Sequence, residues 1–193
     1  MFLFDKSGLL VAVFGVFLTW ASAGLADGEI ADIVNYREYD ANFSSSGQPD
    51  AAQLKLLSEA GFKRVVYIAF NDNGTAIAAE DRTVKSLGMD YLHIPVDFEN
   101  PTIEDFEDFA VVMNRDQKVR TLLHCQVNYR ASTFSFLYRV IYLGVPVAQA
   151  KKDLDGVWQA DETWYRFIVE VLEQHGKSQQ CDDCDWGANE FAD

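Results

Sequence analysis

Apolar positions recur along the chain with two spacings, one typical of strands and one typical of helices. Short runs rich in β-branched and aromatic residues predict strands at residues 63–70, 90–96 and 118–125. Segments with helical spacing lie around them, at residues 47–62, 77–86, 100–115, 131–144, 147–158 and 161–176. Because strands and helices alternate, the sequence predicts a three-layer α/β fold with a mostly parallel central sheet flanked by helices.

Local signals support several of these elements. Thr102 is expected to cap the helix at residues 100–115, because Asp105 stands three residues later in the capping-box position. The strand at residues 118–125 has few polar positions, as expected of a central strand covered on both faces. Residues 27–46 end in a run of serines and are predicted to be an irregular entry segment.

The two ends differ in composition from the middle of the chain. Residues 1–26 contain Lys6, an apolar run and then small residues, which predicts a secretory signal peptide. An uncleaved membrane anchor and a buried helix are the alternatives. Residues 27–176 are predicted to form one domain, and residues 177–193 an acidic flexible tail. A signal peptide would make the protein periplasmic or secreted.

Charge and cysteine content narrow the classes of function. The chain of 193 residues has a formal net charge of -14, which argues against nucleic acid and anionic membrane surfaces as partners. In an oxidising compartment, the natural pairing of its three cysteines joins Cys181 to Cys184. Cys125 is then a free thiol, and catalysis is one reason for an exported protein to keep one.

The stretch HCQVNYRAS, at residues 124–132, carries the candidate chemistry. A strand ends at Cys125, a short loop follows, and a helix is predicted to begin near Arg130 or Ala131. Backbone N–H groups and a helix N-terminus at such a place form an anion cradle. Arg130 offers a planar fork for phosphate oxygens, and Ser132 can donate to a thiolate or a leaving phosphate. A small buried cysteine beside a surface arginine is the simpler alternative.

Three stretches together resemble the cysteine-dependent tyrosine and dual-specificity phosphatases, in particular their bacterial beta-lactamase-hydrolase-like branch. Residues 46–68 resemble the opening helix and strand of that branch, and residues 91–97 (YLHIPVD) resemble the strand before its general-acid loop. Residues 122–132 (LLHCQVNYRAS) resemble its phosphate loop, in which four residues often separate Cys from Arg. The resemblance covers residues 40–172 in outline and implies a phosphatase-like domain.

The resemblance implies a role for each residue of the site. Cys125 would attack phosphorus and become a phosphocysteine, while Arg130 and nearby N–H groups would stabilise the equatorial oxygens. Asp97 would protonate the leaving oxygen and then activate water, and Ser132 would assist release of the thiolate. His124 would orient the loop, although a satisfied core histidine is an equal interpretation. The implied phosphate-binding loop comprises Gln126, Val127, Asn128, Tyr129, Ala131 and Ser132.

The sequence departs from the family pattern in ways that keep alternatives open. Asn128 stands where Gly is usual, and Asn is the next best residue for a left-handed backbone. Asp97 lies one residue closer to its strand than the general acid of dual-specificity phosphatases usually does. Glu99 is therefore an alternative candidate for the general acid. The four-residue spacing to Arg130 also suits a rhodanese-like sulfurtransferase with a persulfide on Cys125. A catalytically weak phosphate-binding or anion-binding module is a third class.

The remaining motifs are interpreted as structural. Cys181-x-x-Cys184 is expected to be a local disulfide or an idle pair rather than a redox motif or a zinc site with His175. His93 is expected to be structural. Aromatic residues of the last two helices are expected to pack in the core: Trp158, Trp164, Tyr165 and Phe167. The resemblance implies no metal or organic cofactor, and a phosphorylated protein or a small phosphoester as the partner.

Overall fold

The computed structural model describes residues 30–187, where each predicted strand and helix is found with bounds that differ by a few residues. The strands are β1 (Arg37–Asp40), β2 (Phe43–Ser46), β3 (Arg64–Tyr67), β4 (Asp90–His93) and β5 (Thr121–His124). The helices that follow β2 are α1 (Ala51–Glu59), α2 (Glu80–Ser86), α3 (Ile103–Arg115), α4 (Tyr129–Ile141), α5 (Val147–Asp155) and α6 (Glu162–Gln174).

The strands form one sheet in the order β1-β2-β5-β3-β4. β1 is antiparallel to β2, and all other neighbouring strands are parallel. β5 is the middle strand, and its Leu122 lies opposite Ser44 on one side and Val65 on the other. The carboxyl end of β5 therefore lies at the edge of the sheet where open α/β folds bind ligands.

Helices cover both faces of the sheet because successive strand residues point to opposite sides. Val66 and Leu123 lie in the larger core, together with apolar residues of α3, α4, α5 and α6. Val65 and Leu122 lie in the smaller core, with α1 and α2. This arrangement confirms the predicted three-layer α/β fold, and β5 is buried throughout, as its apolar sequence indicated.

The segment before α1 departs from the sequence prediction. The serine run predicts an irregular segment, but residues 37–46 contain β1 and β2, so the prediction is wrong there. The reason is that tertiary partners satisfy the buried serine hydroxyls. Ser44 Oγ lies 3.0 Å from the Tyr36 hydroxyl, and Ser45 Oγ lies 2.7 Å from the Tyr39 hydroxyl. Such partners let residues that usually favour turns form a strand.

The helices begin at capping residues. Thr102 caps α3 and forms a capping box with Asp105, which confirms the prediction. Asp50 caps α1 in the same way. The helix predicted from residue 77 begins only at Glu80, because Ala79 before it has a left-handed backbone with φ 55°.

The end of the described chain packs against the domain. A disulfide joins Cys181 to Cys184, as predicted. The Trp186 ring centroid lies 5.6 Å from that of Phe136 in α4, and 4.5 Å from Lys151 Nζ. The domain boundaries and the flexibility of residues 177–193 stay predictions.

The predicted signal peptide, residues 1–26, lies outside the described residues. Between residues 30 and 187, none of the helices has both the length and the apolar character needed to cross a bilayer. The location of the protein therefore stays a prediction.

Candidate active site

Residues 125–128 join β5 to α4 and form the base of the candidate site. Cys125 is fully buried, and Asn128 has the expected left-handed backbone, with φ 74° and ψ 2°. Because this turn is tight, α4 begins at Tyr129, slightly earlier than predicted. Within the described residues, the N–H groups of Gln126 and Val127 donate no backbone hydrogen bond. The loop therefore offers free donors beside a helix N-terminus, as an anion site requires.

Arg130 is held on two sides in the first turn of α4. Its Nη1 donates to Gln126 Oε1 at 3.1 Å, and its Cζ lies 5.1 Å from the ring centroid of Phe98. Arg130 is buried, yet its Nε has no hydrogen-bond partner among the described residues. The guanidinium is thus fixed by its neighbours, and its buried Nε is unpaired.

The chain before α1 supports the loop from outside. Asn35 Nδ2 donates to Val127 O at 2.9 Å, and Asn128 Nδ2 donates to Asn35 O at 2.6 Å. Further along, Gln48 N donates to Gln126 O at 3.0 Å. These three bonds fix the path of the loop between Cys125 and α4.

Gly47 permits the close approach of this segment to the loop. A Cβ at Gly47 would lie 2.8 Å from Gln126 O, 2.9 Å from Val34 Cβ and 3.1 Å from Val127 Cα. Such distances leave no room for a side chain. The two valines flank Gly47 and are exposed, Val34 by 49% and Val127 by 38%. They form an apolar rim beside the loop, called the valine rim below.

The two predicted candidates for the general acid lie in the loop after β4. Asp97 and Glu99 are both exposed, and Asp97 Oδ1 accepts a hydrogen bond from Glu99 N at 3.0 Å. Phe98 between them is anchored, because its carbonyl oxygen accepts a hydrogen bond from Trp164 Nε1 at 3.0 Å. Since Phe98 also contacts Arg130, the loop that carries both acids packs directly against the first turn of α4.

Trp158 connects the same two loops from the other side. Its ring stacks on Tyr129, with centroids 4.5 Å apart and planes 2° from parallel. It also contacts Phe98, at a centroid distance of 6.0 Å. Trp158 is a packing residue, as the sequence indicated, but it packs at the site.

His124 is buried behind Cys125 in a stack of three rings. Tyr67 lies between His124 and His93, with centroid distances of 4.7 Å and 5.1 Å. His124 Nε2 also lies 3.2 Å from Glu80 Oε1, a close contact that lacks the alignment of a hydrogen bond. His124 is therefore a packed core residue that also contacts an acid, and the half-buried His93 packs on the other face of Tyr67.

Glu80 is a buried carboxylate that has no signal in the local sequence. Its Oε1 accepts a hydrogen bond from Gln48 Nε2 at 2.7 Å, and its Oε2 accepts one from the Tyr91 hydroxyl at 3.4 Å. Burial by itself would raise the pKa of Glu80, but the contacts with His124, Gln48 and Tyr91 outweigh burial and lower the pKa below its usual value. Glu80 is therefore ionised at neutral pH.

The hydroxyls at the start of α4 are directed to the backbone. Ser132 Oγ donates to Tyr129 O at 3.1 Å, and Thr133 Oγ1 donates to the same oxygen at 3.0 Å. Ala131 is buried in the larger core. Ser132 thus lies in the predicted place, with its hydroxyl engaged inside the helix.

The structure adds several residues to those that the sequence indicated: Asn35, Gly47, Gln48, Glu80 and Phe98. Gly47 and Gln48 lie within the stretch that carries the family resemblance, and Phe98 follows Asp97, so a signal existed for these three. Asn35 and Glu80 are remote in sequence from the phosphate loop, and only the fold brings them there.

Fold and loop together define a cysteine-dependent phosphatase-like protein. The chain belongs to the family described as DSP-PTPase phosphatase fused to NAD+ kinase, whose model matches residues 23–162. This membership places it in the superfamily of tyrosine and dual-specificity phosphatases and confirms the resemblance drawn from its motifs. No curated protein matches the chain.

Several solved structures share the fold. A DUF442 protein from Shewanella putrefaciens CN-32, provisionally named a phosphatase, is 31% identical, with a TM-score of 0.70 over 77% of this chain and 97% of that one. The active form of Tk-PTP is 18% identical, with a TM-score of 0.62 over 72% and 97%. The core catalytic domain of the PP-IP phosphatase SIW14 from S. cerevisiae is 13% identical, with a TM-score of 0.59 over 70% and 84%. The first is a relative in sequence, whereas the other two show the fold alone.

Proposed function

We propose that this protein hydrolyses phosphomonoesters through a phosphocysteine intermediate on Cys125. The observation that carries the proposal is the phosphate loop at the carboxyl end of β5. There, Cys125 lies at the base, Asn128 makes the left-handed turn, and Arg130 keeps an unpaired Nε. Membership of a phosphatase family supports phosphoryl transfer over sulfur transfer, although the four-residue spacing suits both.

The proposed reaction has two steps. The Cys125 thiolate attacks phosphorus, an S–P bond forms, and the P–O bond to the leaving group breaks while Asp97 gives its proton to the leaving oxygen. The Asp97 carboxylate then takes a proton from water, whose oxygen attacks phosphorus. The S–P bond breaks, phosphate leaves and the thiolate is restored; for Ser132 to assist, its hydroxyl must turn from Tyr129 O toward the sulfur. In both steps Arg130 and the N–H groups of residues 126–130 stabilise the equatorial oxygens.

Trapping the intermediate tests this function. The protein is mixed with para-nitrophenyl phosphate under reducing conditions, quenched with acid and digested for mass spectrometry. We expect a phosphoryl group on the peptide that contains Cys125. A persulfide on Cys125 after thiosulfate treatment, with sulfur transfer to cyanide and no phosphoryl adduct, would instead establish a sulfurtransferase. Oxyanion binding without either reaction would identify a binding module.

The general acid is tested by a matched pair of substitutions in the same exposed loop. We expect Asp97→Asn to lower kcat by about 100-fold for an ester with a poor leaving group, because an amide cannot donate the proton. Glu99→Gln is the control and should keep near-normal turnover. Steady-state kinetics with a phenyl phosphate measure both. If Glu99→Gln lost activity while Asp97→Asn kept it, Glu99 and not Asp97 would be the general acid.

The valine rim supports a substrate with an uncharged, apolar leaving group. Val34 and Val127 are exposed on either side of Gly47, next to the phosphate loop. Arg130 is the one Lys or Arg within residues 124–132, and the chain carries a net charge of -14. A second or third phosphate on the substrate would therefore meet repulsion without a partner. We propose aryl phosphates, such as phosphotyrosine, as preferred substrates over phosphoserine and polyphosphorylated compounds.

Substitution of the valine rim should change selectivity. In Val34→Ser combined with Val127→Ser, we expect the ratio of kcat/KM for aryl over alkyl phosphates to fall about fivefold, because apolar contact with the ring is lost. Val111→Ser is the matched control, since Val111 is 54% exposed on α3, outside the valine rim. An unchanged ratio in the double variant would contradict the role of the rim and leave phosphatase activity itself unaffected.

We further propose that the protein acts outside the cytoplasm, in a periplasm or after secretion. The support is the composition of residues 1–26 together with the disulfide between Cys181 and Cys184, a bond that persists in oxidising compartments. Its substrate would be a phosphorylated protein or a small phosphoester present there.

A further inference from the structure

Glu80 joins three separate segments of the chain behind the phosphate loop. Its carboxylate contacts Gln48 before α1, Tyr91 in β4 and His124 at the end of β5. Gln48 Nε2 and His124 Nε2 share the same oxygen, at 2.7 Å and 3.2 Å. We call Gln48, Glu80 and His124 the Glu80 network.

Two short paths lead from this network to the reacting groups. His124 is bonded directly to Cys125 in the chain. Gln48 donates its backbone N–H to Gln126 O at 3.0 Å, and the side chain of Gln126 accepts the hydrogen bond from Arg130 Nη1. A movement of Glu80 would therefore reach both Cys125 and Arg130 through neighbouring atoms.

The network is costly unless each member is paired. Glu80 is only 5% exposed and ionised, and a buried carboxylate is tolerated where hydrogen bonds and charges compensate it. Removing the carboxylate would leave Gln48 Nε2 with the longer hydrogen bond to Pro49 O, at 3.2 Å, and would take the acid away from His124. We expect Gln48 to be held less tightly in that case, and its backbone hydrogen bond to Gln126 O to shift with it.

We infer that Glu80 is a positioning residue. It holds the phosphate loop in the conformation in which Arg130 and Cys125 can contact the same phosphoryl group. The inference rests on the proposed function but concerns the shape of the loop, so it is measurable through anion binding alone. It distinguishes Glu80 from residues of α2 that only fill the smaller core.

The test compares wild type, Glu80→Ala, Glu80→Gln and Val84→Ala. Tungstate, an unreactive oxyanion shaped like phosphate, is titrated by calorimetry, and kcat, KM and Tm are measured on the same samples. Val84 is the matched control, because it is fully buried on the same helix and contacts the smaller core. Its truncation should lower Tm without changing the Kd of tungstate.

We expect Glu80→Ala to weaken tungstate binding about tenfold and to lower kcat more than it raises KM. Glu80→Gln keeps an acceptor oxygen for Gln48 but loses the negative charge beside His124, so its affinity for tungstate should lie between those of Glu80→Ala and wild type. If Glu80→Ala fails to fold, Glu80→Gln alone decides, and affinity equal to wild type would overturn the inference.

Two other results would also overturn it. One is an unchanged Kd in Glu80→Ala, and the other is weaker binding in Val84→Ala in proportion to its loss of Tm. Failure of the proposed function is seen separately, as tungstate binding by wild type without Cys125-dependent hydrolysis. In that case the Kd values of tungstate for the four proteins still test whether Glu80 positions the loop.

Discussion

Replacement of Cys125 by Ser is expected to abolish phosphomonoester hydrolysis, with kcat lower by about 10⁴-fold or more. Ser fits the buried position at the end of β5, but its neutral hydroxyl is a far weaker nucleophile than a thiolate. The anion cradle consists of backbone N–H groups and Arg130, so the variant should still bind tungstate. Steady-state kinetics and calorimetry measure the two properties separately.

The control for this variant removes the other two sulfurs. Cys181→Ser combined with Cys184→Ser breaks the disulfide after α6 and should keep the turnover of wild type. Hydrolysis that persists in Cys125→Ser would contradict the phosphocysteine mechanism. Loss of both turnover and tungstate binding in Cys125→Ser would show that the substitution disturbs the loop as a whole.

Replacement of Arg130 by Lys is expected to lower kcat/KM by about 10³-fold, although the positive charge is kept. A lysine ammonium cannot present a planar fork to two phosphoryl oxygens. It also loses the hydrogen bond to Gln126 and the broad contact of the guanidinium with Phe98. Because Phe98 follows Asp97, the loop that carries Asp97 loses its contact with Arg130 in the same variant.

Arg120→Lys is the matched control for Arg130→Lys. Arg120 also lies over an aromatic ring, with its Cζ 4.4 Å from the centroid of Phe62, and its Nη1 donates to Ala60 O at 2.7 Å. It stands just before β5, at the opposite end of the strand from Cys125. Its substitution should affect Tm and leave kcat/KM nearly unchanged. An equal loss of kcat/KM in both variants would contradict a special role for Arg130.

The variants of Cys125 and Arg130 together distinguish phosphoryl transfer from other thiol chemistry. Loss of turnover in both is expected of a phosphatase, because the nucleophile and the grip on the equatorial oxygens are both needed. If Arg130→Lys kept full turnover while Cys125→Ser had none, a reaction that needs the thiol but no phosphoryl grip would fit better, as in sulfur transfer.

The order of helices and strands after residue 46 could be predicted from the sequence because those elements carry strong local signals. The apolar run of β5, the capping box at Thr102 and the helical spacing in α3 each act over a few residues. The left-handed turn at Asn128 was likewise predictable, since few residue types tolerate that backbone. These features depend on neighbours in the chain.

The strands β1 and β2 could not be predicted in this way. Ser44 and Ser45 have side chains that favour turns in isolation, and their hydroxyls are satisfied only by Tyr36 and Tyr39 in the folded protein. The support of the phosphate loop by Asn35 has the same character, because its partners lie more than ninety residues further along the chain.

The sequence by itself determined the α/β class and the family, and it indicated Cys125, Arg130 and Asp97 as candidate site residues, because the candidate chemistry is concentrated in short motifs. Only the tertiary structure brought Asn35 and Glu80 to this part of the chain, and only it showed the contacts that Gln48 and Phe98 make there. Burial decided this part, since a carboxylate or an amide removed from water must find its hydrogen-bond partners wherever the fold places them.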